Sequence, residues 1–132
     1  MVGLLKEETQ MDRLLLIAGR VLLSVIFILS GISKITGWSG TEGMLVSKGV
    51  PLAPVALVVV ILVEIVGGLM VLSGFHAKWA AIVLFLYLIP TTLMFHAFWG
   101  LPSDQQQNMM AHFLKNVSIM GGLLVTASVS RK

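Results

Sequence analysis

The sequence predicts an all-α protein, a membrane-embedded four-helix bundle. Three observations lead there: an apolar composition, four apolar runs long enough to cross a bilayer, and helix-breaking residues between those runs. Of the 132 residues, 57% are hydrophobic and 11% charged, against about 25% charged in an ordinary soluble domain. No Ser/Pro-rich or charge-rich stretch divides the chain. Residues 1–13 are a polar lead and residues 14–130 form a single domain.

The first run, Leu14 to Ser33, has the roughly 20 residues a transmembrane helix needs and exceeds the core of a cleaved secretory signal, so it is expected to stay attached. It stops at Lys34 and the cluster Thr36, Gly37, Ser39, Gly40. From Trp38 to Pro54 the mixture of Gly, Pro, Glu42 and Lys48 suits a loop carrying one short interfacial helix. The second run spans Pro54 to Leu72, too long for a strand despite its β-branched residues, and closes at Ser73-Gly74. The third, Ala77 to Phe95, follows after a link so short that the two helices must be antiparallel neighbours. Pro90 inside it removes one backbone donor. A polar loop, Phe98 to Asn108, precedes the fourth run, Met109 to Val129.

Nine Lys and Arg against six Asp and Glu give a net charge of +3. The cations are scattered singly and form no stripe, so no nucleic-acid partner is expected. They act as topology signals instead. Lys6, Arg13, Lys78, Arg131 and Lys132 fall on the side of both termini and Lys34 and Lys48 on the other, which places both termini in the cytoplasm. The chain has no cysteine, excluding disulfides and thiol redox chemistry of its own. A redox role has to pass through a bound cofactor or a partner.

A charge at the bilayer centre costs at least about 2.5–3.5 kcal/mol, so one that persists needs a partner, a water cavity or a task. Arg20 lies in the first span, Glu64 in the second, and Lys115 with Asn116 in the fourth, while Lys34, His96 and His112 crowd the loop ends. At a rise of about 1.5 Å per residue, Arg20 lies roughly 21 Å below Lys34 and Glu64 roughly 15 Å below Pro54. Arg20 and Glu64 can therefore meet near the middle of the bilayer, and Glu64 is expected either to be paired, with Arg20 or with Lys115, or to be protonated. A pair of this kind either fixes helix register alone or forms the floor of a polar pocket opening toward the loop side. Arg20 has the further option of snorkelling to the terminus side. The excess of cations around Glu64 suits an anionic or quinone-like oxygen ligand. His96 and His112, with no carboxylate or thiolate at ligand spacing, make no metal site. Gly67-Gly68 and Gly121-Gly122 are read as close-packing positions that bring the second and fourth spans together. The eight Met are read as apolar filler.

The order of these features resembles the DoxX family, and most closely its short bacterial inner-membrane members. The residues that carry the resemblance are Arg20 with Phe27-Ile28-Leu29-Ser30-Gly31-Ile32-Ser33-Lys34-Ile35, then Gly49-Val50-Pro51, Glu64 with Gly67-Gly68, and Leu72-Ser73-Gly74-Phe75. Phe95-His96-Ala97-Phe98-Trp99 and the stretch from Phe113 to Leu124 around Lys115-Asn116 complete it. The resemblance implies a four-helix inner-membrane bundle and, for some members, a link with quinone-dependent sulfur oxidation or membrane oxidoreductase complexes. The polar positions it carries over are Arg20, Lys34, Glu64, His96, Lys115 and Asn116; His112 joins them by spacing alone. Three functions remain open at this stage. The first is a non-catalytic, accessory subunit of a redox or stress-related system that binds a quinone-like or anionic molecule and meets redox partner proteins. The others are a small-solute or proton transporter using Glu64, which oligomerisation would help to enclose, and a structural bundle holding partner proteins.

Overall fold

The computed structural model describes residues 2–131. Among them five helices follow in the order α1 (Val2–Thr36), α2 (Trp38–Ser47), α3 (Ala53–Ser73), α4 (Ala77–Phe95) and α5 (Ser103–Val129). Four, all but α2, are long and apolar enough to span a membrane. Hydrocarbon offers a backbone no hydrogen-bond partners, and a helix is the way a single segment satisfies its own. α2 is the short helix expected in the first loop.

Two helices outrun the apolar stretches that announced them. α1 begins at Val2 instead of Leu14, and α5 at Ser103 instead of Met109. Hydropathy marks where a helix is in lipid, not where its hydrogen bonding ends. At α5 the boundary is set by Pro102, and Asp104 in the first turn complements the positive end of the helix dipole. α3 opens with proline in its first turn and closes at Gly74, whose φ of 83° is the left-handed conformation glycine adopts freely. His76 then starts α4 directly, so α3 and α4 fold back as an antiparallel pair.

The packing order around the bundle is α1, α3, α4, α5. α1 lies along α3 over most of its spanning length, α5 lies along α4, and α1 touches α5 over a short stretch only. Among the described residues no Cα of α3 comes within 8 Å of one in α5, which corrects the close backbone approach expected from the glycine pairs. Adjacent residues on a helix point about 100° apart, so a Gly-Gly pair serves two neighbours. A Cβ on Gly67 would lie 3.0 Å from Leu84 of α4, and one on Gly68 would lie 2.9 Å from Ile28 of α1. Gly122 faces Leu23 of α1, and Gly121 faces open space.

The main core joins Phe27, Val71, Ala81, Leu84, Leu88 and Leu123. A second cluster of Leu45, Ala53, Leu57 and Ile61 ties α2 onto the start of α3. The many exposed Leu, Val and Ile side chains form the lipid-facing surface. Between α1 and α5, toward the termini, a groove of about 1150 Å³ opens between Leu16, Arg20 and Leu23 on one wall and Ile119, Val125 and Val129 on the other.

Two outcomes follow from this packing. A Cβ on Gly31 would overlap the stiff Ile65 side chain, so Gly31→Ala is expected to destabilise by about 1–3 kcal/mol. Gly121→Ala, with nothing near its Cβ, is expected to be neutral or to stabilise by up to about 1 kcal/mol. Thermal unfolding in detergent compares them, and equal effects would refute the assigned helix faces. Because the chain lacks cysteine, single cysteines at Lys48 and Lys132 can be labelled in intact membranes. They should react from opposite sides; labelling from one side would overturn the four-span topology.

Candidate functional site

The α1–α3 register decides which charges meet. Gly31 sits opposite Glu64 and Ile65, Gly68 opposite Phe27 and Ile28, and Gly74 opposite Arg20. Glu64 is thus level with Gly31, and Lys34 lies less than one turn beyond. Helical side chains lean toward the N-terminus of their helix, so the Lys34 chain descends into the bundle. Its ammonium donates to Ser30 Oγ at 2.6 Å and lies 2.7 Å from Glu64 Oε1. Lys34–Glu64 is the one ion pair among the described residues.

The expected partner of Glu64 was wrong. Gly74 lies ten residues after Glu64 on α3, which puts Arg20 about 15 Å away along the axis. The error came from treating Lys34 and Pro54 as equally high. In the observed register Pro54 stands about seven residues, roughly 10 Å, above Lys34, because α3 rises past the end of α1 to meet α2. Lys115 also fails to pair with Glu64, although both face the same space.

That space is a cavity of about 120 Å³ inside the bundle, and Lys34, Glu64, His96, Lys115 and Asn116 all line it. Five of the seven candidate residues therefore come together. His112 stands behind His96, their rings stacked at 5.3 Å with 21° between planes. Arg20 is remote, in the α1–α5 groove at the terminus end. Sequence reasoning missed Ser30, Tyr87 and Thr91, which also line the cavity. The signal was present for Tyr87, the single tyrosine of the chain, since a phenol inside a span needs a partner for its hydroxyl; from α4 it faces the Glu64 carboxylate. Ile26, Phe27, Leu88 and Ile119 supply apolar walls.

Each polar group is held differently. Asn116 Nδ2 donates to Thr92 Oγ1 at 3.0 Å, a bond buried between α5 and α4 that fixes their register. His96 caps α4, its backbone N–H bonding Thr92 O. Burial pushes the His96 imidazole below the usual histidine range, and His112, Lys115 and Lys34 add to the effect. The uncharged form that burial favours can accept at one nitrogen. Beside the histidines, Phe98, Trp99 and Phe113 form an edge-to-face ring cluster on the loop side.

Two atoms lining the cavity carry unspent hydrogen-bonding capacity. Glu64 Oε1 and His96 Nδ1 are buried and lack a hydrogen-bond partner. For Glu64 this coexists with the ammonium 2.7 Å away: the distance establishes charge pairing, but the contact is outside hydrogen-bond geometry, and the ammonium directs its bond to Ser30. Buried polar atoms left this way are uncommon and costly.

The comparisons with known proteins agree with the fold. The DoxX family model matches residues 15–97. The inner membrane protein YphA of Escherichia coli (strain K12) is 30% identical over 113 residues, covering 86% of this chain and 81% of the relative. The inner membrane protein YqjF of the same organism is 34% identical over 111 residues, covering 84% and 80%. No solved structure matches the chain.

Two tests address the cavity. Lys34→Met and Glu64→Gln should each destabilise by about 3–5 kcal/mol by stranding one buried partner, and the double variant should recover part of the loss; additive losses in thermal unfolding would deny the pairing. The second test concerns pH. The lowered folded-state value of His96 means that its contribution is present above the ordinary histidine value of about 6.5 and is lost as pH falls through the lowered one. His96→Gln should flatten that acid-side fall in melting temperature, and a variant curve parallel to the parent's would contradict it.

Proposed function

The chain belongs to the DoxX family, and from that premise we propose that it is a multi-pass inner-membrane protein, termini cytoplasmic, whose cavity binds a quinone-type head group. The observation that carries this reading is a pair of buried atoms without a hydrogen bond, Glu64 Oε1, which is charge-paired with Lys34, and His96 Nδ1, on residues of one cavity that also holds two ammonium groups. A carboxylate oxygen accepts and an ammonium donates. A ligand that satisfies both carries an acceptor atom and a donor such as a hydroxyl. Quinones and their reduced quinols have that chemistry. Lys115 and Lys34 would hold a carbonyl oxygen, Glu64 would accept from a hydroxyl, and Phe27, Leu88 and Ile119 would contact the ring. The volume of about 120 Å³ suits a compact head group and leaves an attached tail outside.

A bound quinone supplies two-electron, two-proton redox chemistry; this chain's residues bind, orient and exchange a proton at Glu64. The electrons would come from partner proteins, which makes the chain an accessory subunit of a redox or stress-related system. A buried acid at mid-span also suits a proton or solute path, and one protein preparation separates the readings. A short-chain benzoquinone analogue should raise the melting temperature of the purified protein and fail to do so for Glu64→Gln and Lys115→Met. No shift with the analogue, and no quinone extracted with the native protein, would sink the proposal. Proton flux in proteoliposomes that vanishes in Glu64→Gln would favour the transporter.

A further inference from the structure

The α1–α5 groove shares only Ile119 with the polar cavity and has its own chemistry. Its wall toward the bundle middle is apolar, from Leu22, Leu23 and Ile119 down to Val125 and Val129. At its terminus end stand three arginines, Arg13, Arg20 and Arg131, with Asp12 the one carboxylate lining it. None of the three pairs with a carboxylate among the described residues, where the one ion pair is Lys34–Glu64. Arg20 Nε is a buried donor with no hydrogen-bond partner. Its guanidinium packs at the α3–α4 turn, where a Cβ on Gly74 would meet it at 2.6 Å, so it stays at the rim of the bundle. An apolar trough capped by unpaired guanidinium groups at one leaflet boundary has the charge and polarity profile of an anionic lipid.

We propose that this groove is a binding site for one anionic phospholipid, its phosphate held by Arg20 with Arg13 and Arg131 and an acyl chain lying along the trough toward Ile119. Guanidinium matches phosphate through paired N–H donors, and basic pockets between spanning helices on one leaflet recognise such head groups. On the loop side, Lys34 and Lys115 line the polar cavity instead. The proposal does not depend on what that cavity binds.

The test uses the purified full chain in detergent, with lipid added back. Phosphatidylglycerol should raise the melting temperature and remain bound in native mass spectra, and phosphatidylcholine of equal chain length should do neither. Arg20→Gln and Arg131→Gln should each weaken retention of phosphatidylglycerol by about fivefold, the equivalent of about 1 kcal/mol per cation. Gly19→Leu is a second, charge-neutral probe. Gly19 lines the groove and nothing lies within 4 Å of its Cβ, so the larger side chain should fill the trough and displace the lipid without disturbing the fold. Equal retention of the two lipids, unchanged retention in Gly19→Leu and in the arginine variants, or full protection by inorganic phosphate alone would overturn the proposal.

Discussion

The pairing of Lys34 with Glu64 is the contact on which the architecture of this bundle turns. A carboxylate at mid-membrane depth cannot reach water and cannot stay charged alone. Its partner comes from the neighbouring helix by a route that helix geometry makes available: a lysine just above, leaning back down its own helix. Gly31 and Gly68 are small for the same reason, since α1 must approach α3 closely enough for Lys34 to arrive. Ser30 takes the ammonium's directed hydrogen bond, which leaves Glu64 charge-paired yet still able to accept another.

The loop end is organised around a different principle. There the Asn116–Thr92 bond sets α5 against α4, and His96 and His112, at the same height in that register, stack upon one another. Burial holds the His96 imidazole below the usual histidine range, and His112, Lys115 and Lys34 add to the effect. The cavity therefore has an ion-paired floor contributed by α1 and α3 and a roof contributed by α4 and α5 that carries His96, Asn116 and the Lys115 ammonium. Its ends are fixed by two helix pairs whose registers are set independently.

The spans were legible in the sequence because hydropathy is a local property, and the α3–α4 hairpin because its turn is too short for any other arrangement. Five members of the polar cluster were also legible, since two lysines, a glutamate, a histidine and an asparagine in or beside apolar runs have few places to go, whereas Arg20 was included wrongly and Tyr87 was missed. The pairing inside the cluster was not. It depends on how high one helix rises relative to another, and that height is set by α2, whose packing on Leu57 and Ile61 lifts the start of α3 above the end of α1. The glycine pairs failed for a related reason. A small residue announces that a backbone comes near, but which neighbour it admits depends on rotation about the helix axis, and Gly67 and Gly68 turned out to face two different helices.

The short contact between α1 and α5 has a consequence for how any ligand is met. Three seams of the bundle are closed by extended packing, and the fourth is left to the surrounding hydrocarbon. Ile119 borders both the groove on that seam and the polar cavity behind it. A molecule arriving there travels in the plane of the membrane instead of through either aqueous face. Occupancy then follows the mole fraction of that molecule among the lipids, so a compound almost insoluble in water can saturate the site while its aqueous concentration stays negligible.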